Sequence, residues 1–259
     1  MNKNKKPLRW KFNFSRFNTL TIVKKEVKSW IKYTLDFLRI IPGKYICTLR
    51  DGTKVILRGK TMDGEIFKEI FLWKIYSPKG FETKEGDIVV DIGAHIGAYS
   101  LQAASKAKLV LAYEPSPENF LILVENRELN KFRNLIPYPI AISGQRRHLK
   151  FFRKDDGGRD SIYKEKHVNT EIFNAISIKL EDIFYQNSID KIDILKIDCE
   201  GAEYEILKNT PKELFKNIKK IVIELHEVSG YDNEWIKNFL ENQGYEVSFY
   251  TNILHAKRE

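Results

Sequence analysis

The sequence predicts an α/β fold, in which a doubly wound, mostly parallel sheet (residues 81–259) follows an N-terminal extension of helices and a hairpin (residues 1–80). Three observations support this prediction. From Gly86 onward, short apolar segments alternate with amphipathic helical patterns, as in a parallel sheet covered on both faces. The first of these segments runs into a loop of small residues that opens a helix. The chain ends in a helix, a glycine and two short strands, which is typical of an antiparallel edge added last.

The extension contains two helical patterns and one hairpin pattern. Apolar residues at helical spacing predict one basic amphipathic helix over Thr21–Ile41. The pair Asp51-Gly52 lies within an alternating segment and predicts a β-hairpin over Lys44–Arg58. A second helix is predicted over Ile66–Tyr76, because its apolar residues fall on one face.

Apolar runs in the main domain predict five strands and a final strand pair, at Ile88–Val90, Leu109–Tyr113, Leu135–Ile142, Ile192–Ile197, Ile218–Leu225, Tyr245–Tyr250 and Ile253–Ala256. The segments between them predict helices at Gly97–Lys106, Pro117–Asn130, Ala202–Lys208 and Asn233–Asn242. In the second of these helices we expect four apolar residues to face the core, namely Phe120, Leu121, Val124 and Leu129. Residues 147–183 are predicted to add further strands around a loop at residues 155–158.

The net charge of +9 over 259 residues is unevenly distributed. Residues 1–60 hold 16 Lys and Arg against 3 Asp and Glu, whereas the rest of the chain holds 28 against 32. A cationic segment suits an anionic partner such as phospholipid, a phosphorylated glycan carrier or nucleic acid. One interpretation is that residues 1–40 contact an anionic membrane surface. The interpretation that we favour is a helix that packs on the main domain and exposes a solvated basic face.

Cysteine content and hydropathy exclude several classes of protein. Cys47 and Cys199 are the only cysteines, which excludes a disulfide scaffold and a cysteine-based zinc site. The chain contains no apolar run of about 18 residues and no apolar segment typical of a signal peptide. We expect a cytoplasmic protein, which would be peripheral to the membrane if its basic segment binds lipid.

The segment GDIVVDIGAHIGAYS, residues 86–100, is the strongest candidate for a ligand site. A buried strand ends at Asp91, and Gly93 and Gly97 allow the following loop to turn sharply near a ligand. His95 occupies a position that the dinucleotide fingerprint reserves for glycine, so a pyrophosphate is disfavoured. An acidic strand end suits a ligand with an ammonium group, and S-adenosylmethionine is such a ligand.

Carboxylates follow the next strand and a later one. Glu114 ends the strand after the loop, where a carboxylate can accept hydrogen bonds from both hydroxyls of a ribose. The alternative role of Glu114 is to place a negative charge near the positive N-terminal end of the following helix. Asp198 and Glu200 lie at the mouth of the fourth strand, where two carboxylates in an apolar context indicate a functional site. Helix capping is the alternative interpretation for this pair.

The segment IELHE, residues 223–227, places two polar side chains on one side of the fifth strand. His226 is a candidate general base, because the unperturbed pKa of histidine lies near 6.5. A hydrogen-bonded structural histidine is the equally weighted alternative. A metal-assisted reaction is a further option, since Asp198, Glu200 and Glu224 offer the hard oxygen ligands that magnesium prefers. No spacing requires a metal.

Taken together, DIGAHIGAYS, YEPSPENF, AIS, LKIDCEGAEYEIL and IVIELHE resemble, in order and spacing, the FkbM-type S-adenosylmethionine-dependent methyltransferases. The resemblance covers residues 60–256 and does not include the basic N-terminus. It implies a seven-stranded Rossmann-like sheet and methyl transfer, mostly to oxygen of sugar or polyketide-type acceptors. The reaction expected is an in-line displacement on the sulfonium methyl, with Asp198, Glu200 or His226 as the base.

The resemblance also implies roles for individual residues. Asp91 and the loop from Gly93 to Gly97 would line the methionine end of the cofactor, and Glu114 would hold the ribose. The full cofactor set is Asp91, Gly93, Ala94, His95, Gly97, Glu114, Pro115, Ala141, Ile142 and Asp198. Ala141 and Ile142 would flank the adenine, and Asp198 with Glu200 would face the transferred methyl group.

The acceptor cannot be derived from these motifs, and we expect the N-terminal helices and residues 147–183 to form its side of the site. Tyr76, Arg159 and Tyr163 are the predicted acceptor contacts. One alternative function is an RNA methyltransferase that uses the basic N-terminus and its aromatic residues. A second is a non-catalytic, membrane-tethered scaffold. The sequence favours a small-molecule or glycan acceptor over both, and it does not indicate an oligomeric state.

Overall fold

The computed structural model describes residues 16–153, 160–161, 171–226 and 232–258. Its helices are α1 (Arg16–Glu26), α2 (Trp30–Phe37), α3 (Asp63–Phe67), α4 (Ala98–Ala104), α5 (Pro117–Asn130), α6 (Leu180–Asn187), α7 (Glu203–Asn209) and α8 (Asn233–Asn242). Its strands are β1 (Lys44–Thr48), β2 (Lys54–Arg58), β3 (Ile88–Ile92), β4 (Leu109–Tyr113), β5 (Leu135–Tyr138), β6 (Ala141–Ile142), β7 (Arg147–Arg153), β8 (Asp160–Ser161), β9 (Glu171–Ile178), β10 (Ile192–Ile197), β11 (Ile218–Glu224), β12 (Glu246–Tyr250) and β13 (Ile253–Lys257). A π-helical turn, Lys68–Leu72, follows α3, and a 3-10 helix, Lys212–Asn217, precedes β11.

A seven-stranded sheet in the order β12-β13-β11-β10-β3-β4-β5 forms the centre of the main domain. The five strands from β11 to β5 are parallel, and β13 is antiparallel to both of its neighbours. Val89 and Val110 pack into one hydrophobic core, whereas Val90 and Leu111 pack into another on the opposite face. The predicted α/β fold with a mostly parallel, two-sided sheet is therefore confirmed. One detail differs, because β13 lies inside the sheet and β12 forms its edge.

The order of the strands determines where a ligand can bind. The chain proceeds from β3 through β4 to β5 in one direction and from β10 to β11 in the other. The direction in which the chain adds strands to the sheet therefore reverses between β3 and β10. In open α/β sheets, ligands bind outside the carboxyl ends of the strands at such a point.

The predicted helix over Thr21–Ile41 is two helices, α1 and α2, so that prediction was wrong. The hairpin interrupts the helix. Val27 forms a β-bridge with Leu49, and Lys28 donates its backbone N–H to the carbonyl of Thr48 at 2.8 Å. These tertiary hydrogen bonds replace helical ones, which local spacing could not indicate. Residues 1–15, predicted as a flexible arm, lie outside the described residues.

The predicted strand Leu135–Ile142 is also divided. β5 is the edge of the central sheet, whereas β6 belongs to a four-stranded sheet in the order β6-β9-β7-β8. Pro139 lies between the two strands and cannot donate to a ladder, so the strand ends there. The extra strands expected in residues 147–183 are present, and the loop at residues 155–158 lies outside the described residues. The prediction missed α6, whose first turn Asp182 caps by accepting the N–H of Lys179 at 2.9 Å.

The inward face predicted for α5 was wrong except at Phe120, which packs against the core. The buried side chains of α5 are Asn119, Ile122, Leu123 and Asn126, and Leu121 is 61% exposed. The reason is the hairpin, whose strand β2 lies along this helix. Asn126 accepts the backbone N–H of Ile56 at 2.6 Å, and Asn130 accepts that of Lys54 at 2.8 Å. Asparagine side chains therefore form hydrogen bonds with the backbone groups at the edge of β2. The extension and the main domain also share one hydrophobic core. No helix in the described ranges is long and apolar enough to cross a membrane.

Candidate active site

A cavity of about 130 Å³ lies at the carboxyl ends of β3, β4 and β10, where the strand order of the sheet reverses. Ten of the predicted site residues line it, namely Tyr76, Gly93, Ala94, His95, Glu114, Pro115, Ala141, Ile142, Asp198 and Glu200. Three others, Asp91, Gly97 and His226, are not among its lining residues. Arg159 and Tyr163 lie outside the described residues.

The loop after β3 is held against two neighbouring strands. Gly93 and Ala94 both donate their backbone N–H groups to the carbonyl of Tyr113 at 3.0 Å. Gly93 has φ +74°, and a Cβ atom there would lie 1.7 Å from the carbonyl oxygen of Asp198. Only glycine fits this conformation and this close approach. The loops after β3 and β10 are therefore in direct backbone contact.

Glu114 follows β4, and its carboxylate is fixed by the chain on both sides. One carboxylate oxygen accepts the backbone N–H of His95 at 2.7 Å, and the other accepts that of Ser116 at 2.8 Å. The residue is only 6% exposed and lines the cavity. These two bonds fix the orientation of the Glu114 carboxylate at the cavity wall.

Asp91, at the end of β3, is fully buried and lies behind the cavity. It accepts the hydroxyl of Ser100 at 2.6 Å, and its other oxygen lies 3.1 Å from the ammonium of Lys196. Lys196, on β10, also donates to the carbonyl of Gly93 at 2.8 Å and lies 3.4 Å from Asp198. This buried lysine, which our sequence analysis missed, joins the loops after β3 and β10. A lysine within the apolar strand IDILKI was the available signal.

Burial alone would raise the pKa of Asp198, but the charges of Lys196 and His226 and a hydrogen bond from Tyr76 lower it. Tyr76 is 4% exposed, and its hydroxyl lies 3.1 Å from Asp198 and forms a second, short hydrogen bond with Glu224. A phenol has one proton, so it donates to one of these carboxylates at a time. Tyr76 therefore bridges the ends of β10 and β11 at the cavity wall.

His226 lies among three carboxylates. Its Nδ1 is 2.9 Å from Glu203, and its Nε2 is 3.6 Å from Glu200 and 3.8 Å from Asp198. Glu203, at the start of α7, also accepts the backbone N–H groups of Cys199 at 3.1 Å and Gly201 at 3.2 Å. Burial lowers the pKa of His226, but the bond to Glu203 and the surrounding charges outweigh it and raise the pKa to about 9. At neutral pH this side chain is therefore an imidazolium.

We expect this charge to appear in the pH dependence of stability. The pKa of His226 rises from 6.5 in the unfolded chain to about 9 in the folded one, so its stabilisation is complete below pH 6.5 and disappears as the pH rises through 9. The shift corresponds to about 3 kcal/mol. The difference in unfolding free energy between wild type and His226→Gln should shrink across this window in urea titrations. The same substitution at the exposed His148 is the control, and equal pH profiles for wild type and His226→Gln would contradict the assignment.

The N-terminal extension reaches the loop after β3 through Arg58, at the end of β2. Its guanidinium donates twice to Asp63 at 2.9 Å and once to Asn119 at 2.9 Å, and lies 3.3 Å from Nε2 of His95. Nη2 of Arg58 has two protons and donates them to Asp63 and Asn119, so its contact with His95 is electrostatic, and the positive charge opposes protonation of the ring. Burial lowers the pKa of His95 to about 4, which agrees with a neutral ring. Sequence analysis did not identify Arg58 or Asp63, because the residues of the main domain that Arg58 contacts, His95 and Asn119, are 37 and 61 positions away.

Asp198, Glu200 and His226 could also hold a metal ion, because one ligand atom from each lies within 4.8 Å of the others. Glu224, the third ligand suggested by the sequence, instead bonds Tyr76 and accepts the side-chain N–H of Asn252 at 2.9 Å. A metal would require a neutral His226, whereas its three carboxylate neighbours favour the protonated ring. The imidazolium and a divalent cation are therefore alternatives at this position.

A sheet of this order, with a fixed carboxylate after β4 and an acidic cluster after β10, defines a Rossmann-like methyltransferase domain. Residues 91–247 match the Methyltransferase FkbM domain. The chain belongs to the FkbM methyltransferase family.

Three curated relatives illustrate the range of this similarity. The chain is 28% identical over 216 residues to methyltransferase sdnD of Sordaria araneosa, a match that covers 71% of this chain and 82% of the relative. It is 26% identical over 214 residues to 31-O-demethyl-FK506 methyltransferase FkbM of Streptomyces tacrolimicus, covering 70% and 81%. It is 26% identical over 179 residues to hexuronic acid methyltransferase AglP of Haloferax volcanii, covering 69% and 70%.

Proposed function

We propose that this methyltransferase uses S-adenosylmethionine and methylates a hydroxyl oxygen of a sugar, a glycan or a related natural product. The observation that carries the proposal is the fixed carboxylate of Glu114, which faces the same cavity as Asp198 and Glu200. A carboxylate after the second strand suits a ribose diol. The loop after β3 carries His95 where pyrophosphate binding needs glycine, so an adenosyl ligand without pyrophosphate is favoured over NAD.

In this proposal the cavity-lining residues contact the cofactor directly. The loop from Gly93 to His95 holds the methionine end, Glu114 and Pro115 the ribose, and Ala141 and Ile142 the adenine. Asp91 acts as a positioning residue through Lys196 and Ser100, because its carboxylate lies behind the cavity. Gly97 is also a positioning residue, since its φ of +84° favours glycine and a Cβ atom there would lie 2.3 Å from the Cδ1 atom of Leu123.

When bound, the sulfonium supplies an activated methyl group, so the chain has to position the acceptor and receive its proton. We assign proton acceptance to Glu200. Lys196 and His226 lower the proton affinity of Asp198, and His226 already carries a proton at neutral pH. Glu200 lines the cavity, and its backbone has φ +53°, a strained value that is found at functional sites. In this assignment His226 stays protonated and balances the charge of the carboxylates.

The acceptor class is inferred from the cavity and from the relatives. Tyr76 and Glu224 form a polar wall beside Asp198, whereas Leu149, Phe151 and Phe173 of the second sheet form an apolar wall. One relative is named for a hexuronic acid and another for 31-O-demethyl-FK506. An acceptor that combines hydroxyl groups with apolar ring faces would match both walls.

We also propose that the chain divides near residue 80 into a supporting extension and the catalytic domain. The contact of Arg58 with His95 supports this division. The extension holds the loop after β3 in place but contributes no described strand to the central sheet. The shared core supports the packing of the extension on the catalytic domain.

Calorimetric titration with S-adenosylmethionine, S-adenosylhomocysteine and NAD tests the cofactor assignment. We expect both adenosyl ligands to bind and NAD not to bind. The measurement needs no acceptor, so it separates cofactor recognition from the choice of substrate. NAD binding without adenosyl binding would overturn the proposal.

A further inference from the structure

Helix α2 presents an unusual surface, because it exposes aliphatic residues and buries a carboxylate. Its buried side chains are Tyr33 and Asp36. Its exposed ones, which continue past the end of the helix, form what we call the outer patch: Ile31 (58% exposed), Leu35 (36%), Phe37 (57%), Leu38 (58%) and Ile40 (58%). A buried acid and a cluster of exposed large apolar side chains each depart from the usual distribution of residues, and an exposed apolar cluster indicates an interaction surface. Here both occur on one helix.

Specific hydrogen bonds fix this orientation. Asp36 is 6% exposed, accepts the hydroxyl of Tyr45 at 2.8 Å and accepts the backbone N–H of Lys60 at 3.2 Å. Tyr33 donates to the carbonyl of Gly64 at 3.0 Å, and its ring packs against Phe67 with centroids 5.3 Å apart. Turning the helix over would break these bonds and bury its aliphatic face at the cost of an unpaired carboxylate. The outer patch is therefore held outward by the fold.

The stretch of chain that carries the outer patch is basic. Five exposed basic residues lie between positions 20 and 43, namely Lys24, Lys25, Lys28, Lys32 and Arg39. The acidic residues between positions 20 and 43 are Glu26 and the buried Asp36. Residues 1–15 add five Lys and Arg and no acid. The ammonium of Lys24 lies 4.8 Å from the ring centroid of Trp30, an aromatic residue of the type enriched at membrane–water interfaces.

We propose that the outer patch and its flanking lysines bind the surface of an anionic phospholipid bilayer. The aliphatic side chains enter the boundary between headgroups and acyl chains, and the lysines contact the lipid phosphates. A second copy of the chain is a poorer occupant, because joining two outer patches would bring two sets of lysines together. RNA is also a poorer occupant, because phosphates and bases do not account for a fixed aliphatic surface.

The position of α2 gives the proposal a functional consequence. α2 packs on α3, and α3 carries Ile66, which lines the active-site cavity. A bilayer at the outer patch would therefore lie one helix away from the cavity. This arrangement suits an acceptor that a lipid carries to the enzyme. That inference about the acceptor rests on the proposed function. Lipid binding itself does not rest on it.

Cosedimentation of the full chain with vesicles tests the proposal in the absence of cofactor. We expect binding to phosphatidylcholine vesicles that contain phosphatidylglycerol, with weaker binding at high salt and weak binding to phosphatidylcholine alone. The double variant Ile31→Ser/Leu38→Ser should lower the partition coefficient more than about tenfold. Leu121→Ser/Ile176→Ser is the matched control, because these side chains are 61% and 56% exposed elsewhere on the surface. Thermal melting verifies that both double variants fold.

Several outcomes would overturn the proposal. Vesicle binding that is equal in both double variants would show that the outer patch is not involved. A wild-type dimer that Ile31→Ser/Leu38→Ser dissociates, without vesicle binding, would assign the patch to a second copy. Salt-sensitive RNA binding without vesicle binding would assign the basic segment to nucleic acid. If Ile31→Ser/Leu38→Ser does not fold, Lys28→Glu/Lys32→Glu replaces it, with loss of anionic vesicle binding as the expected result. Calorimetry with S-adenosylmethionine remains independent of all these outcomes.

Discussion

Glu114→Ala is expected to weaken S-adenosylmethionine binding at least about 100-fold, because a site built to hydrogen-bond hydroxyl groups loses its acceptor. The substitution also leaves the N–H groups of His95 and Ser116 without the carboxylate that fixes them, so the loop after β3 loosens. Isothermal titration calorimetry gives the dissociation constant directly. S-adenosylhomocysteine should lose affinity to the same extent, since it carries the same ribose.

Two further variants separate the causes of this loss. Glu114→Gln keeps one acceptor oxygen and removes the charge, so we expect an intermediate loss of affinity. Glu128→Ala removes a carboxylate that is 67% exposed on the following helix and should leave the dissociation constant unchanged. If Glu114→Ala binds S-adenosylmethionine as wild type does while remaining folded, Glu114 does not hold the ribose.

The central sheet could be predicted because its information is local. Strands such as β3 and β10 are buried on both faces, so each is a nearly continuous apolar run. The bounds of β10 were predicted correctly, whereas β3 extends two residues beyond the predicted Ile88–Val90. The side chains at the strand ends could be predicted for the same reason, since parallel strands direct their carboxyl ends to one edge. Glu114, Asp198 and Glu200 lie around one cavity as expected. Their individual roles are not determined by this placement and remain proposals.

Features that depend on tertiary partners could not be predicted. The break between α1 and α2 arises from Leu49 of the hairpin, and the buried face of α5 is set by strand β2. The charge state of His226 depends on Glu203, which is 23 positions away. In each case the determining residue lies on another element, so local spacing carries no signal for it. The lysine within β10 is different, because a buried charge in an apolar strand is visible in the sequence.

Glu200→Gln is expected to lower kcat by about 10²- to 10⁴-fold, the usual contribution of a positioned general base. The amide keeps the size of the side chain, so the dissociation constant for S-adenosylmethionine should stay close to the wild-type value. The acceptor for this assay would come from a panel of hexuronic acid glycosides and hydroxylated natural products, with S-adenosylhomocysteine release as the readout. A general base also controls the acidic limb of the pH–rate profile, so the variant should lose that limb.

Asp198→Asn is the comparison that decides between the two carboxylates. Asp198 neighbours Lys196, Tyr76 and His226, so its replacement should lower both thermal stability and cofactor affinity. Glu200 neighbours His226 at 3.6 Å, and its replacement should lower turnover more than it lowers cofactor affinity. The opposite pattern, with normal kcat in Glu200→Gln and a lost acidic limb in Asp198→Asn at wild-type cofactor affinity, would transfer the role of base to Asp198. In that case the strained backbone of Glu200 would serve to aim Glu203 at His226, because Glu200 lies in the turn after β10 and Glu203 begins α7.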